Sequence, residues 1–445
     1  MPNAKTHKPA FPLLLLGLIT CFMTTQSQAG IHIEHWQTTN GARVYFVAAP
    51  DLPMVDINLV FDAGSARDGD HPGIGQLTAN LIDDGTETMN ADAVASRFEA
   101  LGARFNTQSL TDMASIGLRS LSDAPHLNPS LATMTEILKA PAFDEGALQR
   151  ERRLQIAQIQ SEQESPEDIA YRTFMAALYG QHPYAGDPLG ATETLAAIGR
   201  GDVQAHYRRF YVAANAVIAI VGDLNLNQAK QVADQLSGAL DSGAAPPPVA
   251  PAKPLSQAET VTREFPSSQT HIMIGQPGMR RGDPDYFTLY VGNHILGGSG
   301  LVSRISEEIR EKRGLAYSAY SYFTPMRVEG PFTMGLQTRN EKAEEARQLM
   351  IDTLRNFIEK GPTDAELRSS KQNITGGFPL RISSNRKIVG YLGAIGFYKL
   401  PLNYLDTFND RVNAVTKAQI VDAFRRRIDP DRLVTVMVGG AGKPL

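Results

Sequence analysis

Apolar runs recur in the same order in two parts of the chain. In the first part Arg43-Val-Tyr-Phe-Val47 and Val55-Asp-Ile-Asn-Leu-Val-Phe61 read as strands. In the second, Thr270-His-Ile-Met-Ile274 does the same. Short runs rich in β-branched and aromatic residues, bounded by turn residues, are the sequence form of a strand. Each part continues into a charged turn, Arg67-Asp-Gly-Asp-His-Pro72 and Arg281-Gly-Asp-Pro284. A helix-like stretch follows, ending at Gly85 in one part and at Gly297-Gly298 in the other. Both parts close on an apolar run into glycine, Ala216-Val-Ile-Ala-Ile-Val-Gly222 and Leu433-Val-Thr-Val-Met-Val-Gly439. This repeated order predicts an α+β domain present twice, each a mixed or antiparallel sheet packed with helices, over residues 30–240 and 257–445. Between them Asp241–Ser256 reads DSGAAPPPVAPAKPLS, rich in proline and alanine and empty of core residues. Such a stretch predicts an extended, semi-rigid linker.

The N-terminus has a different pattern. Lys5, His7 and Lys8 precede an apolar run from Phe11 to Met23, and Ser27-Gln28-Ala29 follows. A basic segment, an apolar segment and a small-residue site, in that order, predict a secretory signal over residues 1–29. The run is too short to span a bilayer as a helix. Cys21 offers a second possibility, lipidation at a lipoprotein-type site, which would tether the protein to a membrane. Thr20 argues against it, standing where a smaller residue is usual. Ordinary cleavage after Ala29 is the expectation, and with it a periplasmic location.

Cleavage changes the chemistry available. Cys21 is the one cysteine of the chain, so the exported protein has neither disulfides nor a thiolate. The full chain has 43 Lys and Arg against 47 Asp and Glu. Losing Lys5 and Lys8 leaves 41 against 47, a formal charge of −6. A general nucleic-acid-binding protein needs a basic face, and this balance argues against one.

The first helix-like stretch, Gly73-Ile-Gly-Gln-Leu-Thr-Ala-Asn-Leu-Ile-Asp-Asp-Gly-Thr86, resembles the signature of the pitrilysin/insulysin family and its mitochondrial processing-peptidase relatives. In that family an inverted motif, His-x-x-Glu-His, places two zinc-binding imidazoles on one helical face, four residues apart. The glutamate between them takes a proton from zinc-bound water. Aligned on Gly73 and on Gly85-Thr86, those positions fall on Gln76, Ala79 and Asn80. The family's third ligand is a glutamate on a later helix. The matching stretch, Glu151 to Pro166, puts Gln158 there, 78 residues beyond Asn80. All three ligands and the base are thus replaced together. Amides and a methyl group offer zinc neither imidazole nor carboxylate and move no proton. The resemblance therefore implies a chain that binds no metal of its own.

Other histidines do not restore a site. His32 and His35 of His32-Ile-Glu-His35 point to opposite faces if the segment is a strand. His182, in Gln181-His-Pro-Tyr184, reads as a structural loop residue. His294 reads as a packed helix residue, and His71 and His126 as turn residues beside prolines.

The second half keeps what the first has lost. Ile295 to Ser318 resembles the family's second signature nearly throughout. It opens on a loop with Gly297, Gly298 and Gly300. A helix follows with Leu301, Ile305 and Ile309 at spacing four, and Gly314 ends it. Alone, Arg310 would read as a solvated helix end and Tyr317 as strand packing. Seven positions apart within this motif, they match the family's arginine–tyrosine pair, which grips substrate carbonyls and the oxyanion formed on attack.

The resemblance covers both halves and implies two related domains arranged clam-like around a central chamber. It implies peptides bound in extended form along a sheet edge, a mode with little side-chain selectivity. Some members divide the work between two chains, one with zinc and one with the arginine–tyrosine pair. Three roles stay open: the non-catalytic subunit of a heteromeric zinc peptidase, with zinc in a homologous catalytic partner; a chaperone-like module that holds peptides without cutting; or a scaffold subunit of a larger assembly.

Overall fold

The structure is a computed structural model and describes residues 30–440. The signal-like segment and Cys21 lie outside the described residues. Among those described, no helix is long and apolar enough to cross a membrane.

Two mixed sheets carry the fold. The N-terminal sheet has β1 (Glu34–Gln37), β2 (Arg43–Ala48), β3 (Met54–Phe61), β4 (Arg104–Ser109), β5 (Ala114–Leu121) and β6 (Val217–Gly222), in the order β1-β2-β6-β3-β5-β4. The C-terminal sheet has β7 (Glu259–Arg263), β8 (Gln269–Met279), β9 (Ala316–Phe323), β10 (Gly330–Arg339) and β11 (Val434–Val438), in the order β7-β11-β8-β10-β9. In each sheet one pair is parallel, β2 with β6 and β7 with β11, and every other pair is antiparallel. Without β1, the two sheets have the same order and the same strand directions. The duplication expected from the sequence is therefore a repeat of topology, not only of composition.

β6 shows why its residues are all apolar. Every position of Val217–Gly222 is buried, because the strand is central and covered on both faces. Ile218 and Ile220 enter the N-terminal core with Phe46, Leu59 and Leu77. Val217, Ala219 and Val221 alternate to the other face. There they join a core that includes Leu392 and Ile395 of the C-terminal half.

That second face is covered by a helix from the other half, Asn385–Tyr398. Gly396 lets it approach closely, since a Cβ there would stand 2.4 Å from Val217. Arg43 of β2 donates to the Gly396 carbonyl at 2.7 Å. The exchange is reciprocal. Helix Pro166–Tyr179 of the N-terminal half lies on the C-terminal sheet, packing Ala170, Phe174 and Leu178 against Met273, Val434, Val436 and Val438. Gly275 makes room for the Phe174 ring, 2.9 Å from where a Cβ would be. A buried carboxylate ties the halves further. Asp112, in the β4–β5 turn, accepts from Tyr184 at 2.5 Å, from Tyr398 at 3.0 Å and from the Arg327 amide at 2.7 Å. The halves thus pack through a shared core.

The Pro-rich segment Asp241–Ser256 differs from its reading as a spacer without core residues. It forms neither helix nor strand, but it is strapped to the surface. Ala252 is buried, its amide donating to Glu329 at 3.2 Å. The Ala250 carbonyl pairs with the His182 ring at 2.8 Å. A chain without internal hydrogen bonds is held by side chains of both halves, and His182 is structural for this reason.

Candidate functional site

The helix that would carry the metal motif, Ile74–Leu81, begins after Gly73, whose φ of 94° excludes most other residues. Its first amides are held by Asp68, which accepts from Gly73 at 2.7 Å and Gly75 at 3.0 Å. Burial raises the Asp68 carboxyl to about 7, although those two N–H groups favour the charged form. One turn into the helix, Gln76 donates from Nε2 to Asn80 Oδ1 at 2.7 Å. Ala79 is buried.

Gln158 lies on the helix Glu145–Gln163, exposed, and donates to Glu162 at 3.3 Å. The residue that joins the two helices is Gln155, one turn earlier. It is buried and donates to the Gly73 carbonyl at 3.2 Å and the Leu189 carbonyl at 2.8 Å. Sequence reasoning passed over Gln155. Its signal was available: it is the polar member of the buried face that includes Leu148 and Ile159.

These residues do not fit zinc. Two neutral amides satisfy one another across one turn, and the third position bonds to Glu162. None supplies the imidazole or thiolate that zinc sites are built on. Among the described residues no group of three His, Cys, Asp or Glu is placed to hold a metal.

The Arg/Tyr side is built differently. Helix Tyr286–Asn293 continues into a π-helical turn, His294–Gly298. A second π turn, Glu307–Glu311, carries Arg310. Such wide turns are rare and often mark functional sites. The first is fastened to edge strand β9: Asn293 donates to the Ser321 carbonyl at 2.9 Å, and the Ser321 hydroxyl donates back to Asn293 at 2.7 Å. Gly297 permits this contact, since a Cβ there would fall 2.4 Å from the Ser321 amide. Gly298 packs against Asn293, and Gly300 takes a positive φ of 62°. The expected glycine loop is therefore close-packed at Gly297, and its tip, Gly300, Leu301 and Val302, is exposed. His294 is half-buried and pairs with Ser370 at 2.9 Å and Asn373 at 3.1 Å, a packed residue as its sequence suggested.

Arg304 anchors the stretch between the π turns. Its guanidinium makes a forked pair with Glu366 at 2.6 and 2.8 Å. Burial works to raise Glu366, but Arg304 and Thr363 outweigh it and hold the carboxyl down at about 2. On this base Arg310 lies over the ring of Tyr317, with Cζ 4.7 Å from the ring centroid. Tyr317 is 84% exposed, on edge strand β9. The two sets stay apart in one respect: Tyr317 lines a cavity of about 260 Å³, and Gln158 a different one of about 330 Å³.

Comparison with known proteins places this arrangement. Residues 43–192 match the insulinase family, peptidase family M16, and residues 197–374 match the peptidase M16 inactive domain. A crystal structure of a peptidase M16 inactive domain from Pseudomonas fluorescens is 38% identical, with a TM-score of 0.90, covering 93% of this chain and 99% of that one. The chain belongs to the insulinase-like M16 family, as a member whose zinc motif is replaced and whose arginine–tyrosine pair is retained. A non-peptidase homolog, YmxG, from Helicobacter pylori is 25% identical over 435 residues, 97% of this chain and 98% of its own. An uncharacterized zinc protease of Bacillus subtilis, also called YmxG, is 25% identical over 413 residues, 93% of this chain and all of its own.

Proposed function

We propose that this chain is the non-catalytic subunit of a heteromeric, exported zinc peptidase, supplying Arg310 and Tyr317 to substrate held against a homologous subunit's zinc. The carrying observation is the stacked pair of half-buried Arg310 and exposed Tyr317 in a chain whose two helical metal positions hydrogen bond to each other, Gln76 to Asn80. An oxyanion needs donors positioned in advance, and stacking on Tyr317 of β9 positions the Arg310 guanidinium of the π turn. The shared core between halves supports a two-chain arrangement. With one chain's halves packed on each other through a shared core, the chamber of the proposal forms between two chains. The partner would be an exported homologue with the complete His-x-x-Glu-His motif, and the substrate an unstructured peptide. Export through residues 1–29 to the periplasm belongs to the same proposal, with membrane attachment only if Cys21 is lipidated.

A second reading is favoured by one observation, the cavities this chain forms by itself. In that reading it holds peptides without any cleavage. Mixing the purified chain with the motif-bearing homologue and an unstructured peptide separates the two. Cleavage by the mixture beyond that of the homologue alone supports the subunit role. Peptide binding without any gain in cleavage supports the second.

A further inference from the structure

Helix Asn385–Tyr398 covers only part of the N-terminal sheet. Gly396 meets Val217 of β6, and Gly393 stands against Val60 and Asn58 of β3, so the helix crosses the sheet outward towards its own first turn. Beyond β3 this face opens into a cavity of about 860 Å³. β5 and β4 are its floor, and Arg386, Val389 and Gly390 of the helix are its wall. A volume of this size falls within the range of ligand clefts.

The strand register decides what the floor presents. Asp56, Arg119 and Arg104 stand opposite one another on β3, β5 and β4, and Asn58, Gly117 and Asn106 form the next row. Directly paired residues share a face. Asn58 lies against Gly393, so both rows face the helix side. Arg119 forks onto the buried Asp56 at 2.8 and 3.1 Å and engages both carboxylate oxygens. Arg104 therefore stands directly opposite a like charge whose acid is already taken, an unfavourable pairing. Arg386 is exposed in the first turn of its helix, and no acid stands in that turn. Among the described residues neither Arg104 nor Arg386 has an ion pair. Gly117 leaves room for the Asn106 amide, whose Oδ1 lies 2.6 Å from where a Cβ would be. Asp83 and Glu99 also line the cavity, but past the β4 edge, each next to a residue of the N-terminal core, Ile82 and Phe98.

We propose that this face of β5 and β4 is a subsite for a carboxylate of a bound peptide, received between the Arg104 and Arg386 guanidiniums with the Asn106 amide beside it. A guanidinium presents paired N–H donors in the geometry a carboxylate accepts. A carboxylate there also offsets the repulsion of Arg104 by Arg119. The proposal rests on the reading that the chain holds peptides and gives that reading a preference for acidic ones.

The test uses the chain from residue 30 and short peptides of glycine, serine and alanine carrying a neutral BODIPY dye. The first has blocked ends and one internal glutamate, and the second has glutamine in its place. The third is the glutamine peptide with a free C-terminal carboxylate. Fluorescence anisotropy gives the three affinities. The glutamate peptide or the free-carboxylate peptide is expected to bind about fivefold to tenfold more tightly than the blocked glutamine peptide. Which of them does so tells whether the subsite takes a side chain or a chain end. Arg104→Gln with Arg386→Gln, both at exposed positions, should erase the preference and leave the blocked glutamine peptide unaffected. Arg208→Gln, at an exposed position outside this lining, controls for net charge and should leave the preference intact. Three peptides bound equally overturn the subsite while the peptide-holding reading stands. Binding of no peptide removes both. A preference that survives the double variant, or one that Arg208→Gln also erases, overturns the subsite.

Discussion

Gln76 and Asn80 hydrogen bond to one another across one turn of helix Ile74–Leu81, at 2.7 Å, where two zinc-binding imidazoles would project in a catalytic relative. The contact pairs one amide N–H with one amide oxygen, and neither side chain offers zinc an imidazole or a carboxylate.

The purified chain is therefore expected to contain no stoichiometric zinc after mild dialysis, as read by elemental analysis. Restoring ligands alone, Gln76→His, Asn80→His and Gln158→Glu together, should create a site that holds about one zinc, since three protein ligands suffice in catalytic sites. Ala79 is left unchanged in this variant because it is buried and a glutamate there would crowd the core. Any single restoration should bind no stable zinc. A folded triple variant without zinc would mean that Gln158 does not face the helix as assigned.

Asp68 makes stability depend on pH in a specific direction. Its folded-state carboxyl titrates near 7, well above the ordinary value of 3.8. The folded protein thus holds this proton over a range where the unfolded chain has lost it, and stability falls as pH rises from about 4 to 7. His206 acts oppositely: burial lowers it to about 4, so its contribution rises with pH up to its ordinary value of 6.5. Because the two offset each other, wild-type Tm alone is a poor reporter. The Tm of Asp68→Asn relative to wild type is expected to rise steadily from pH 4 to pH 7. A flat difference across that range would show that burial does not hold the Asp68 proton.

The helix exchange between halves predicts one unfolding transition. Phe174→Ala removes a fully buried ring of the N-terminal half from the face of the C-terminal sheet. The loss is expected to be about 3–5 kcal/mol. It should lower the whole transition in differential scanning calorimetry, not split it. Two separated peaks in the variant would show that the halves fold independently.

Much of this was legible in the sequence, for identifiable reasons. β6 and β11 are runs rich in β-branched residues, and burial on two faces leaves such runs continuous, while β3 alternates Asp56 and Asn58 with its apolar residues. The metal positions and the Arg310–Tyr317 spacing were readable because the flanking glycines survive, and Gly297 survives for a steric reason at Ser321. Other features were not legible. The exchange of Pro166–Tyr179 and Asn385–Tyr398 between halves depends on contacts more than 90 residues apart, such as Phe174 against Val434 and Gly396 against Val217. Helical periodicity reports that a face is apolar, not which sheet it covers. The proline-rich segment reads as a spacer because Ala252 and Ala250 are held through their own backbone groups, by the Glu329 and His182 side chains, which composition does not reveal. Nor did the sequence show the π turns: the residues around Arg310 read as an ordinary helix, and the wider turn lies where the stretch packs on β9.

Arg310 and Tyr317 carry the central claim, and kinetics of the assembled complex test it most directly. The measurement is steady-state cleavage of an unstructured peptide by this chain reconstituted with its motif-bearing homologue, assembly being checked by size-exclusion chromatography. Tyr317→Phe removes one exposed hydroxyl, so assembly should be intact while kcat falls; loss of a single oxyanion donor costs on the order of 10²–10³ in rate. Arg310→Ala should cost more, because it also removes the cation that stacks on the ring. Since both groups grip one transition state, the double variant should lose less than the two single losses combined. A fully assembled Arg310→Ala, Tyr317→Phe complex with unchanged kcat/KM would contradict the account and leave the pair as surface packing.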